Sequence, residues 1–128
     1  MSCDPRVVLV DDDPSMSQAL ERIFRLSGCV PVIFRSAEAV LEAGGPGDAS
    51  CLVLDVQMSG LSGFELYEQL VAGGKRLPVI FITAYDEPES RNRAQALGAA
   101  GLFVKPFSGN ELVAAVMKVI DSRATAGG

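Results

Sequence analysis

A doubly wound α/β sandwich is the fold this sequence predicts, and three observations predict it. Short β-branched runs alternate along the chain with longer stretches of helical spacing, five of each. The first, third and fourth short runs are apolar at almost every position, as parallel strands covered on both faces require. No period of roughly 20–50 residues repeats, which excludes a solenoid. Alternating elements joined by right-handed crossovers place helices on both sides of one parallel sheet.

Arg6–Val10 is the first strand. Asp13 then reads as an N-cap with Pro14 at the first helical position. Met16, Ala19, Leu20, Ile23 and Phe24 follow the i, i+3, i+4, i+7, i+8 spacing of a single helix face. Val30–Phe34 is the second strand, and Ser36 caps a short helix through Val40 and Leu41. The Gly44-Gly-Pro-Gly47 cluster is a surface turn. It follows a helix and precedes a strand, the wrong order for a phosphate-cradling loop. Cys51–Leu54 is the third strand, after which the capping box Ser62-x-x-Glu65 opens a helix bearing Phe64, Tyr67, Leu70 and Val71. Val79–Ile82 is the fourth strand. Glu87–Leu97 makes the weakest helix, with few apolar residues among Glu89, Arg91, Asn92 and Arg93, and is expected to be the most mobile. Leu102–Val104 is the fifth strand, and Ser108-x-x-Glu111 opens the last helix, with Leu112, Val116, Val119 and Ile120 on its face. One domain through residue 122 is expected, with 123–128 a flexible tail or the start of a linker.

The 128 residues, 48% hydrophobic and 21% charged, have the balance of one folded domain. The longest unbroken apolar runs, Val7–Val10 and Val79–Ile82, fall far short of the ~18 residues of a membrane span. The N-terminus lacks the basic-then-apolar order of a signal peptide, so a cytoplasmic location without membrane contact is expected. Cys3, Cys29 and Cys51 are too few and scattered for a disulfide framework, and Cys51 is expected to pack as a small hydrophobe. A net charge of −5 argues against direct nucleic-acid binding by this chain. The chain contains no histidine, which excludes Ser-His-Asp and Cys-His catalysis, most zinc sites and an internal phosphohistidine. Chemistry here must use carboxylates, Lys105, hydroxyls and a hard metal ion.

Four predicted strands end in polar residues of complementary kinds: Asp11-Asp12 after the first, Asp55 after the third, Thr83 after the fourth and Lys105 after the fifth. In open α/β sheets the ligand crevice lies beyond the strands' carboxyl ends. Singly, each residue has an ordinary explanation: the Asp run as turn and cap, Asp55 as a partner for loop amides, Thr83 as a cap, Lys105 as a solvated lysine. Together they form a chemical set. Clustered carboxylates repel unless a cation joins them, and Mg²⁺ suits a few hard oxygens while keeping waters and recruiting phosphate oxygens. A lysine ammonium and a threonine hydroxyl complement a phosphoryl group. Carboxylate nucleophile, metal, cation and hydroxyl together suit aspartyl phosphate formation and are poorly suited to hydride or acyl transfer.

The runs Val8-Leu-Val-Asp-Asp-Asp-Pro14, Leu52-Val-Leu-Asp-Val-Gln-Met-Ser-Gly60, Phe81-Ile-Thr-Ala-Tyr85 and Val104-Lys-Pro-Phe107 resemble the receiver domains of two-component response regulators, over about residues 5–122. The likeness is greatest to receivers that precede helix-turn-helix output domains. It implies a flavodoxin-like sheet of strand order 2-1-3-4-5. Asp55 would be the phosphoacceptor, served by a sensor histidine kinase or a histidine phosphotransfer protein. Asp12 would ligate Mg²⁺ (or Mn²⁺) directly, Asp11 through water, alongside Asp55 and the Gln57 backbone carbonyl. Thr83, the Ala84 amide and Lys105 would bind the phosphoryl group, and Lys105–Pro106 would be a cis-proline step. Thr83 and residue 102 would form the switch, with homodimerisation through the face of the fourth helix, fifth strand and fifth helix.

Two positions depart from the family pattern. Ser59 replaces the proline of Met-Pro-Gly, and Leu102 stands where an aromatic is usual, while strand alternation turns Phe103 to the opposite sheet face. The implied activity is that of a signalling switch acting on its own acyl phosphate, not an enzyme. A phosphorylation-independent docking module is the alternative reading, and an aspartate-nucleophile phosphatase a third. The last lacks its second acid, because Gln57 holds that position.

Overall fold

The computed structural model describes residues 4–127, with side chains described through Ser122. Five strands, β1 (Arg6–Val10), β2 (Val30–Phe34), β3 (Cys51–Asp55), β4 (Val79–Thr83) and β5 (Gly101–Val104), alternate with five helices. The helices are α1 (Pro14–Leu26), α2 (Ala37–Glu42), α3 (Gly63–Ala72), α4 (Pro88–Ala96) and α5 (Gly109–Gly127). All strand pairs are parallel, in the order β2-β1-β3-β4-β5. β3 and β4 each reach one residue further than the apolar runs suggest, taking in Asp55 and Thr83.

Strand alternation divides the core in two. Val8, Val10, Leu52, Leu54, Val79 and Phe81 face α2, α3 and α4, whereas Val7, Leu9, Cys51, Val53, Ile80 and Ile82 face α1 and α5. Leu102 packs with the first group and Phe103 with the second, so the expected opposition of these neighbours holds. Burial pushes the Cys51 thiol up to about 12, as fits a packed and unreactive sulfur.

The helix starts follow the local signals. The Asp13 side chain accepts from the Ser15 and Met16 amides, and Ser36 from Ala39. The Ser62–Glu65 capping box is formed in both directions, and Ser108 Oγ accepts from Glu111. One expected core position is wrong: Ala19 is exposed, and Ser17 is buried in its stead. Its hydroxyl returns to the Asp13 carbonyl at 3.0 Å, which satisfies the polar atom within the helix. α4 buries only Ala94, as its composition implies. It is nevertheless tied to α3, because Arg93 pairs with Glu68 at 2.9 Å and lies 5.1 Å over the Phe64 ring. α5 continues to Gly127; of the expected tail, the side chains of 123–127 and all of Gly128 lie outside the described residues. Among the described residues no helix is long and apolar enough to cross a membrane.

Candidate functional site

The sheet order brings the ends of β1 and β3 together as neighbours, with β4 and β5 following on one side. Backbone pairing continues past the apolar runs into the polar rim. Asp11 N–H donates to the Phe34 carbonyl at 3.1 Å, Val56 N–H to Ile82 at 2.7 Å, and Lys105 N–H to Thr83 at 2.8 Å. Asp11, Asp55, Thr83 and Lys105 are therefore carried on the strand ends or held directly to them, whereas Asp12, Gln57 and Ala84 lie in the turns that follow.

Asp11, Asp12 and Asp55 each offer a carboxylate oxygen within 4.8 Å of the others. Asp11 and Asp55 are buried, whereas Asp12 is exposed. The Lys105 ammonium donates to Asp55 Oδ2 at 3.0 Å and lies 3.5 Å from Asp11 Oδ2. Asp11 Oδ1 accepts the Asp13 N–H at 2.9 Å, but Asp11 Oδ2 is buried without a hydrogen-bond partner. Burial pushes the Asp55 carboxyl up to about 6; the Lys105 hydrogen bond pulls against this and the Asp11 charge adds to it. Burial also works against the Lys105 ammonium. The hydrogen bond and charge of Asp55, with Asp11 beside it, outweigh that penalty and raise Lys105 above its ordinary value. One ammonium thus serves two buried carboxylates and does not fully neutralise them.

Thr83 is buried at the end of β4, next to the exposed Ala84. Here the structure adds a contact that sequence reasoning missed. The Gln57 side chain reaches across from the loop after β3, its Oε1 accepting the Ala84 N–H at 2.7 Å and its Nε2 donating to Thr83 Oγ1 at 3.0 Å. The one Thr83 hydroxyl proton has two acceptors at 3.2 Å, Gln57 Oε1 and the Tyr85 carbonyl, and its oxygen accepts the Tyr85 N–H at 3.2 Å. Gln57 N–H donates to Asp55 Oδ1 at 3.0 Å, so this one residue touches both the acceptor carboxylate and the Thr83–Ala84 donors. Lys105–Pro106 is cis.

The loop after β3, where Ser59 stands, is held by a second unforeseen contact. Glu38 on α2 accepts the Leu61 N–H at 2.9 Å, and that hydrogen bond lowers the Glu38 carboxyl below its ordinary value. Beside Leu102, a groove of about 230 Å³ opens between α4 and β5, lined by Arg91, Ala94, Gln95, Ala99 and Gly101.

The model of the response regulator receiver domain matches residues 7–117. This chain belongs to the response regulator receiver domains. The receiver domain is 40% identical over 111 residues to Nodulation protein W of Bradyrhizobium diazoefficiens, covering 87% of this chain and 49% of that protein. It is 38% identical to the transcriptional regulatory protein FixJ of Azorhizobium caulinodans, covering 86% and 52%. The receiver domain therefore spans about half the length of the curated relatives it matches. Among solved structures, the response regulator StyR superposes with a TM-score of 0.85 at 36% identity, over 97% of this chain and 63% of that one. A CheY-like receiver from Methanospirillum hungatei, 20% identical with a TM-score of 0.88 over 97% and 99%, shares the fold.

Proposed function

We propose that this receiver domain takes a phosphoryl group onto Asp55 from a phosphohistidine donor, a sensor histidine kinase or a histidine phosphotransfer protein, and thereby changes the face it offers to partners. The observation that carries this reading is the buried Asp55 carboxylate, flanked by Asp11 and Asp12 and held 3.0 Å from the Lys105 ammonium. An Asp55 oxygen attacks phosphorus in line, the P–N bond to the donor imidazole breaks, and its electron pair returns to that nitrogen. Lys105 offers its charge to the arriving phosphoryl oxygens, and Thr83 with the Ala84 N–H supplies hydrogen bonds to them.

The side chains fit a divalent ion. Three carboxylates converge, and the buried Asp11 Oδ2 lacks a hydrogen-bond partner. Asp11, Asp12 and Asp55, with the Gln57 carbonyl, would hold Mg²⁺ or Mn²⁺. Such an ion would neutralise charge shared by the acceptor and the phosphoryl oxygens.

Thr83 and Lys105 would then bias α4 and β5, with Leu102 packing in place of an aromatic and a homodimer forming through α4, β5 and α5. Similarity to the transcriptional regulatory protein FixJ supports transcription control as the downstream output. A docking module indifferent to phosphorylation would have no use for the complete rim set. A phosphatase would need an acid where the Gln57 amide stands. Incubation with acetyl phosphate and Mg²⁺ should label the wild type and not Asp55→Asn; undiminished labelling of D55N rejects Asp55 as acceptor.

A further inference from the structure

The donors that an acyl phosphate on Asp55 would need are already in use. The Ala84 N–H is given to Gln57 Oε1 at 2.7 Å, and the same oxygen stands 3.2 Å from Thr83 Oγ1 as an acceptor for its hydroxyl proton. The short Ala84 contact fixes the orientation of the carboxamide, since an N–H can be accepted only by its oxygen. A single N–H cannot give a full-strength hydrogen bond both to that oxygen and to a phosphoryl oxygen. We propose that the Gln57 carboxamide is an internal competitor for the phosphoryl-binding donors, which must withdraw before the aspartyl phosphate is fully bound. The inference rests on the reading of Asp55 as the acceptor.

Two features suit Gln57 to this role. Its backbone N–H is anchored to Asp55 Oδ1 at 3.0 Å, which keeps the residue beside the acceptor whatever its side chain does. Its side chain is only partly buried and ends at the exposed Ala84, so it can swing to solvent without opening the core. The carboxamide is neutral and the incoming group an anion, so occupation by Gln57 is the weaker of the two. It sets a threshold and not a block. Thr83 changes partner when the threshold is crossed, which makes the release of Gln57 part of the switching event.

The test is a beryllofluoride titration of the full chain with Mg²⁺, comparing wild type, Gln57→Ala and Gln57→Met, with Asp55→Asn as the non-binding control. Methionine keeps the length of the side chain and removes its strong hydrogen-bonding groups. Both Gln57 variants should bind beryllofluoride about five- to thirty-fold more tightly than wild type, the equivalent of one or two net hydrogen bonds. Without beryllofluoride, amide exchange at Ala84 should be faster in both variants than in wild type. Unchanged or weaker binding by Q57M overturns the proposal, because the carboxamide would then be neutral or would assist the anion. A gain in Q57A that is absent from Q57M overturns it too, since bulk and not hydrogen bonding would be the cause. If wild type and both Gln57 variants all fail to bind, the Asp55 reading falls and this proposal with it. Faster Ala84 exchange would still report the contact on its own.

Discussion

A Cβ on Gly63 would lie 2.5 Å from the carbonyl oxygen of Asp55. The first residue of α3 is thus pressed against the backbone of the acceptor, with Gly63 N–H directed to the Val56 carbonyl at 3.3 Å. Both partners are backbone, so neither can rotate away. Gly63→Ala should cost roughly 1–3 kcal/mol by overpacking and should displace Asp55. A urea midpoint and acetyl phosphate labelling check this; an unchanged midpoint would show that the helix start yields freely.

Lys105 is the one ammonium within reach of both Asp11 and Asp55 among the described ion pairs. Lys105→Met removes the interaction that pulls the Asp55 carboxyl down, so Asp55 should titrate above about 6, by at least roughly one unit. Carboxyl ¹³C NMR in chelator reads this directly. A value that stays put would mean that the ammonium does not govern the acceptor.

Stability should depend on pH through Asp55. Its folded value lies above the ordinary 3.8, at about 6, so the folded chain holds this proton more tightly than the unfolded one. Stability therefore falls as pH rises from about 4 to about 6, and the penalty is complete above that window. Asp55→Asn removes the ionisable group and should stabilise the protein by about 1–3 kcal/mol at pH 7.5 in chelator, with the gain shrinking towards pH 4. Urea midpoints across that range test the sign. A gain independent of pH contradicts it.

The groove beside Leu102 predicts a tolerated enlargement. Leu102→Phe adds volume at a place where about 230 Å³ lies open between α4 and β5. The change should cost less than ~1 kcal/mol, whereas a sealed core charges about 1–3 kcal/mol for similar bulk. Thermal melting decides between them, and a large loss would show the groove closed in solution.

Glu38 should hold the loop that follows Asp55. Glu38→Ala should speed amide exchange at Leu61, whose N–H it accepts at 2.9 Å, and Glu38→Gln should do so less. Equal exchange in all three proteins would leave the loop held by other contacts.

The strand ends and helix caps were legible because their signals are local. Asp13-Pro14 and Ser62-x-x-Glu65 carry their geometry within four residues, and the apolar runs of β1, β3 and β4 can sit only inside a covered parallel sheet. The strand order and the assignment of roles to Asp55, Thr83 and Lys105 came through resemblance, since nothing in local spacing says which strands adjoin. Gln57–Ala84, Glu38–Leu61 and Arg93–Glu68 were not legible. Each joins residues more than twenty positions apart through one side chain, and such a contact leaves no periodic trace. Ser17 escaped for a different reason. A buried hydroxyl that bonds back within its own turn looks, in the sequence, like an exposed one.

Asp55 and Lys105 stand fifty positions apart and meet only through the pairing of β3, β4 and β5. Without β5 in place, the buried Asp55 carboxylate would lack its counter-ion. Completing the sheet therefore also delivers the Lys105 ammonium to the rim, and a chain severed before Gly101 would leave Asp11 and Asp55 without it.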